Sequence, residues 1–169
     1  ISIIGYGNQG RVHAQNLRDS GLNVCVYARN PEKAIQDGFD PTPIEEASGC
    51  NLVIFALPDE VQGEFYKLHV EPNLGEGTVL GFIHGFSIHY GHIEPPVGTG
   101  IVMVAPKGPG VTVRAKFLDG SGVPALLAVQ QENASRTARS IALGWAAGVG
   151  SARVGVFEST FASAQVDLS

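Results

Sequence analysis

Apolar and polar positions follow two rhythms along this chain. Short, nearly unbroken apolar runs stand at residues 1–4, 22–28, 51–57, 78–83, 100–105, 123–129 and 153–157. Runs of this length, rich in Val, Ile and Leu and bounded by Gly, Pro or Asn, predict strands. The run at 51–57 has no polar face, which predicts a strand buried on both sides of a parallel sheet. Helical spacing fills the gaps. Residues 9–20 predict a helix stopped by Gly21, residues 31–37 a short helix with Pro31 in its first turn, residues 43–48 a helical turn and residues 60–68 another helix. The clearest helix is predicted over 134–149, where Ala138, Ile141, Ala142, Trp145, Ala146 and Val149 form one stripe. Asn133 or Ser135 is placed to cap its start and Gly150 to end it. A further helix is expected to begin near the chain's end. Strand and helix alternating throughout predict an α/β fold, with a doubly wound, mostly parallel sheet and helices on both faces. No internal repeat or long linker divides the chain, so residues 1–169 are expected to form one domain.

The first strand runs directly into Gly5-Tyr6-Gly7-Asn8-Gln9-Gly10, which runs directly into a helix. Between a strand and a helix, this glycine spacing is a dinucleotide-binding fingerprint of the Rossmann type. Gly5 permits the tight turn, Gly7 lets a pyrophosphate approach the backbone, and Gly10 lets the helix lie close to the strand. The helix start adds free N–H groups and a partial positive charge. The second strand leads into Tyr27-Ala28-Arg29-Asn30. An NAD site usually carries a carboxylate at this strand end to hold the ribose hydroxyl. Here Arg29 stands there, with Asn30 beside it, and a guanidinium suits a 2′-phosphate. NADP is therefore favoured over NAD.

Composition narrows the partners. Hydrophobic residues make up 44% of the 169, which excludes a disordered chain. The net charge of −5, without a basic run, argues against nucleic acid. No apolar stretch reaches the roughly 18 residues of a membrane span. Charged residues are only 16% and glycines number 22, so some surface is expected to be covered, by another domain or a second copy in a homo-oligomer. Cys25 and Cys50 adjoin apolar runs and are expected to be buried free thiols in a reducing cytoplasm. The chain opens inside a strand rather than on a charged leader, and its one methionine is Met103. Residues are therefore expected to precede Ile1 in a longer protein.

Several stretches together resemble ketol-acid reductoisomerase. They are Gly5 to Gly10 continuing to Asn16-Leu17-Arg18-Asp19-Ser20-Gly21; Leu57-Pro58-Asp59-Glu60-Val61-Gln62; His84-Gly85-Phe86-Ser87-Ile88-His89; Met103-Val104-Ala105-Pro106-Lys107-Gly108-Pro109-Gly110; and Gly122 to Val129. The resemblance covers essentially the whole chain. It implies the amino-terminal NADPH-binding domain of an enzyme of valine and isoleucine synthesis. That family converts a 2-aceto-2-hydroxy acid to a 2,3-dihydroxy acid, by a magnesium-dependent alkyl migration followed by hydride transfer from NADPH. A helical carboxy-terminal domain, absent from this chain, brings most of the acidic metal ligands, so the chain alone is expected to be inactive.

The resemblance also implies roles for residues. Gly5, Tyr6, Gly7, Asn8, Gln9 and Gly10 match the phosphate-binding turn, and Arg29 and Asn30 the adenosine end. Asp59, Glu60, Val61 and Gln62 match a loop along the cofactor, and Gly110 a cofactor contact. His84 matches the active-site histidine and Lys107 a lysine near the reaction centre. Asp167 falls where the family has its first magnesium aspartate. The loop after Arg29 is shorter than the family's and lacks its phosphate-binding serines, and Val111 replaces a histidine. His84 ends an apolar strand, where ligands gather in open parallel sheets, and suits a general acid–base. His13, His69, His89 and His92 read as helix-surface or loop residues. The alternative reading is a stand-alone dinucleotide-binding module without turnover.

Overall fold

The computed structural model describes residues 1–166. The chain folds in the order β1 (Ser2–Ile4), α1 (Asn8–Asp19), β2 (Cys25–Tyr27), α2 (Glu32–Gln36), α3 (Ile44–Ala47), β3 (Leu52–Phe55) and α4 (Asp59–Phe65). It continues through β4 (Val79–Phe82), α5 (Phe86–His89), β5 (Gly100–Pro106), α6 (Gly110–Leu118), β6 (Ala125–Gln131), α7 (Ala138–Gly148), β7 (Val156–Glu158) and α8 (Phe161–Val166). The strands form one seven-stranded sheet in the order β2-β1-β3-β4-β5-β6-β7. Neighbours run parallel except β5 and β6, which pair antiparallel, with Pro106 opposite Ala125. This is the expected doubly wound, Rossmann-type α/β fold.

Adjacent strand residues point to opposite faces, and this divides the core in two. Ile3 and Ile54 pack on one face with Leu17 of α1 and Trp145 of α7. Ile4, Phe55 and Phe82 pack on the other with Tyr66 and with Phe161 of α8. Strand β3 is buried at every position, as its unbroken apolar run requires.

Helix ends follow local chemistry. After α1, Gly21 takes φ +87°, the Leu22 N–H donates to the Leu17 carbonyl, and the Gly21 N–H donates to that of Arg18. This paired closure satisfies carbonyls that the helix end leaves open. Helix α7 starts four residues later than its pattern suggests. The Asn133 side chain still governs its start, because Oδ1 accepts the Thr137 and Ala138 N–H groups at 2.7 and 3.1 Å. The predicted stripe faces inward, with Ile141 half-buried and the others enclosed.

Two expectations are corrected, and one helix appears where the sequence pattern predicted no element. That helix follows β5: α6 has a poor local signal, with Gly110, Val111 and Val113, but Val113 packs with Val12 and Val123 in a small cluster of its own. Tertiary packing overrides propensity there. Cys25 and Cys50 remain free but are half-buried rather than enclosed. His13, read as a surface position, is completely enclosed, because α1 turns that face toward α7.

Candidate functional site

The crossover from β1 to β2 carries α1 over one face of the sheet, and the segment from β3 to β4 covers the other. The direction of winding changes between β1 and β3, and such a switch opens a crevice beyond the carboxyl ends of the strands. A cleft of about 370 Å³ lies there. Gly5, Tyr6, Gly7 and Gln9 line it from the β1–α1 turn, Asp59 and Gln62 from α4, and Ile83 and His84 from the end of β4.

Its floor is set by close backbone approaches. Gly5 takes φ +101°, and a Cβ there would lie 2.8 Å from the Ala56 carbonyl oxygen. A Cβ on Gly10 would press into the Gly5 carbonyl oxygen and come within 2.9 Å of the Ala56 Cβ. These contacts hold the start of α1 against β1 and β3. Gly7, the residue before α1, differs: nothing stands within 4 Å of its Cβ position. The first turn of α1 holds no acidic residue, so its N–H groups and partial positive charge face the cleft uncompensated. This cradle fits a pyrophosphate.

Beside it, the Tyr6 phenol donates to Asp37 Oδ2 at 2.6 Å, and Arg11 grips the same carboxylate through Nε at 2.8 Å and Nη2 at 3.1 Å. The Arg11 hydrogen bonds hold the Asp37 carboxyl below its usual range. Burial, reinforced by Asp37, pushes the Tyr6 phenol up, so it stays protonated. The cluster ties the end of α2 to α1. Neither Arg11 nor Asp37 was singled out from the sequence. Their separation of 26 positions carries no local signal.

On the opposite wall, Gln62 is buried. Its Nε2 donates to the Leu57 carbonyl at 2.7 Å, and its Oε1 accepts the Ser87 hydroxyl at 2.8 Å. The amide therefore braces the wall, and Ser87 is a wall residue that the sequence did not reveal. Asp59 is half-buried in the first turn of α4, whereas Glu60 and Val61 are exposed. Val61 lines a separate hollow with Glu64 and Leu68.

His84 lies two residues beyond β4, and its Nδ1 is enclosed without a hydrogen-bond partner among the described residues. Behind the site, His13 Nδ1 accepts the Trp145 indole N–H at 2.9 Å. Burial pushes the His13 pKa down to about 3, and the nearby His84 acts in the same direction. His13 is therefore a neutral core residue with its proton on Nε2.

The remaining candidates flank the cleft. Gln9 Nε2 donates to the Gly108 carbonyl at 3.2 Å, joining the start of α1 to the loop after β5. Lys107 is exposed on that loop, at the same end of the sheet as His84, since Phe82 and Met103 are partners. Gly110 is buried, and a Cβ there would lie 2.7 Å from the Asn8 carbonyl oxygen, so the starts of α6 and α1 touch. Arg29 and Asn30 are exposed just past β2. Asp167 lies outside the described residues. Among the described residues, no three His, Cys, Asp or Glu side chains converge as a metal site would need.

Comparison with known proteins agrees with this geometry. The family described as "Acetohydroxy acid isomeroreductase, NADPH-binding domain" matches residues 1–155. A solved NADH-preferring ketol-acid reductoisomerase from an uncultured archean superposes with a TM-score of 0.94 at 40% identity, over 99% of this chain and 54% of that one. The chain thus spans about half the length of that relative. A semialdehyde dehydrogenase NAD-binding protein from Cupriavidus necator, solved with calcium and NAD, gives 0.80 at 18% identity over 98% of this chain and 65% of that one. Prephenate dehydrogenase from A. aeolicus, solved with hydroxyphenyl propionate and NAD+, gives 0.70 at 20% identity, over 99% and 62%. These last two share the fold alone. The chain belongs to the acetohydroxy acid isomeroreductase, or ketol-acid reductoisomerase, family and is built on its nicotinamide-dinucleotide-binding domain.

Proposed function

We propose that this chain holds NADPH for a ketol-acid reductoisomerase that converts 2-aceto-2-hydroxy acids to 2,3-dihydroxy acids in valine and isoleucine synthesis. The observation that carries the reading is the open Gly7 position at the start of α1, facing a cleft at the β1–β3 switch. Residues 1–169 are then the dinucleotide domain of a longer protein, and a helical carboxy-terminal domain completes the metal and substrate sites.

In this reading the pyrophosphate rests on the backbone of Gly5 to Gly10, with Asn8, Gln9 and Gly110 beside it. Arg29 and Asn30 meet the adenosine end, and Asp59, Glu60, Val61 and Gln62 run along the cofactor. Bound there, the reduced nicotinamide supplies a hydride. His84 holds or accepts a proton at the reacting oxygen, and the Lys107 ammonium faces developing negative charge. The alkyl migration needs magnesium as a Lewis acid. Magnesium takes several oxygen ligands, and Asp167 is the one that the resemblance implies, so no step is assigned to a metal here. Without the other ligands the chain alone does not turn over substrate.

A second reading, NADH as the preferred cofactor, is favoured by one observation: the short loop after Arg29 carries no phosphate-binding serines. The solved relative at 40% identity prefers NADH. Calorimetric titration with NADPH and NADH separates the two. Tighter binding of NADPH, with the preference lost in Arg29→Ala, supports the first reading. Tighter binding of NADH supports the second, and binding of neither overturns a cofactor role for this chain.

A further inference from the structure

At the amino-terminal ends of the strands, on the opposite side of the sheet from the cleft, the fold brings two nucleophiles together. Cys25 is the first residue of β2 and pairs with Ser2 of β1. Cys50 sits in the turn between α3 and β3. Their sequence separation is 25, yet the two Sγ atoms are 3.9 Å apart. These are the chain's two cysteines, and neither is fully enclosed.

Both backbones are held in place. The Cys25 N–H donates to the Ile1 carbonyl at 2.9 Å, and the Cys50 carbonyl accepts the Thr78 hydroxyl at 3.2 Å. The Cys50 S–H points to the Glu46 carbonyl at 3.7 Å, at the outer side of the pair. A disulfide needs an S–S distance of about 2.05 Å. The sulfurs thus begin in van der Waals contact.

We propose that Cys25 and Cys50 form a redox modification site, closed to an intrachain disulfide by a low-molecular-weight disulfide such as oxidised glutathione. The Cys50 thiolate, on the outer side, attacks one sulfur of the oxidant and displaces the first glutathione thiolate. The Cys25 thiolate then attacks the Cys50 sulfur of the mixed disulfide and displaces the second. One S–S bond is broken and one is formed overall. The protein thiols lose two electrons, the oxidant gains them, and the two thiol protons pass to the released glutathiones. Burial, with Cys50 adjacent, raises the Cys25 thiol above its ordinary pKa. The second step therefore quickens as pH rises. The bond would tie β2 to the entrance of β3 and enclose α2, α3, Arg29 and Asn30 in a covalent loop, without touching the cleft.

The test is incubation of the folded chain with oxidised glutathione near pH 8, quenching by alkylation, and intact-mass measurement. The expected product is a monomer about 2 Da lighter, unalkylated and restored by dithiothreitol. Cys25→Ser and Cys50→Ser should each end with a single glutathione and no internal bond. The oxidised chain should melt about 5–10 °C higher than the reduced one. Two alkylated thiols, two retained glutathiones or a disulfide-linked dimer, with circular dichroism still native, would overturn the proposal. A melting point below that of the reduced chain would also overturn it, since the bond would then have formed only in a distorted chain.

Discussion

Gly7 and Gly10 stand three positions apart in one motif and meet opposite surroundings, so the same substitution should separate binding from folding. Gly10→Ala drives a methyl group into the Gly5 carbonyl and the Ala56 side chain, neither of which can withdraw. It should cost about 2–3 kcal/mol, or roughly 5–10 °C in Tm. Gly7→Ala meets no protein atom and has an extended backbone that alanine adopts easily. Its Tm should fall by no more than about 2–4 °C, the cost of alanine in place of glycine before the first turn. Its added methyl group occupies the space left for phosphate, so dinucleotide affinity should fall at least about tenfold. Equal loss of stability in both variants would contradict the proposed cradle. His84 belongs to the chemistry in this account, so His84→Ala should leave cofactor affinity nearly unchanged by calorimetry. A loss of about tenfold, near 1.4 kcal/mol, would assign His84 to the cofactor instead. The glycine turn was legible in the sequence because its logic is local. His13 was not, because its partner Trp145 lies 132 positions away and nothing near residue 13 announces it.

Among the elements, β1, β3, β4 and β5 could be read from the chain because strands covered on both faces must be apolar throughout. The helices α5 and α6 could not. Four residues at Phe86–His89 give no period. Helix α6 is sustained by Arg114, whose Nη1 donates to Asn16 Oδ1 at 2.8 Å and whose Nη2 donates to Asp19 Oδ2 at 2.7 Å. These are contacts across elements rather than within one. The same holds for the cleft wall, where α4 and α5 are joined by the Ser87–Gln62 hydrogen bond. Ser87→Ala would leave a buried amide oxygen without its donor, at a cost of about 1–3 kcal/mol in chemical denaturation. Ser87→Thr, which keeps the hydroxyl, tests whether that bond rather than local packing is responsible. No change in Ser87→Ala would mean that the wall is held by other contacts.

For the whole molecule, the enclosed His13 sets a pH limit on stability. The folded state keeps it neutral down to about pH 3, whereas an unfolded histidine takes up a proton near 6.5. Between those values the unfolded chain binds the extra proton. Stability is therefore complete above about pH 6.5 and falls as pH drops toward 3, by at most about 1.4 kcal/mol per pH unit. Melting curves between pH 7 and 4 should show the decline, and a flat Tm would contradict the enclosed neutral ring. The overall architecture was legible because readable strands and helices alternate from β1 to β4 and again from β6 to α7. The position of the site followed from topology, whereas the placing of Arg29 and Asn30 on an exposed rim did not. That rim has a consequence for heritable change. In the proposed reading the grip on pyrophosphate comes from a turn whose Gly5 and Gly10 leave no room for a side chain, whereas the adenosine end would rest on two solvent-facing side chains outside the sheet. Codons 29 and 30 can drift without disturbing the fold. On the proposed reading, selection can thus switch a lineage between the two nicotinamide currencies in few mutational steps, while the phosphate cradle remains fixed.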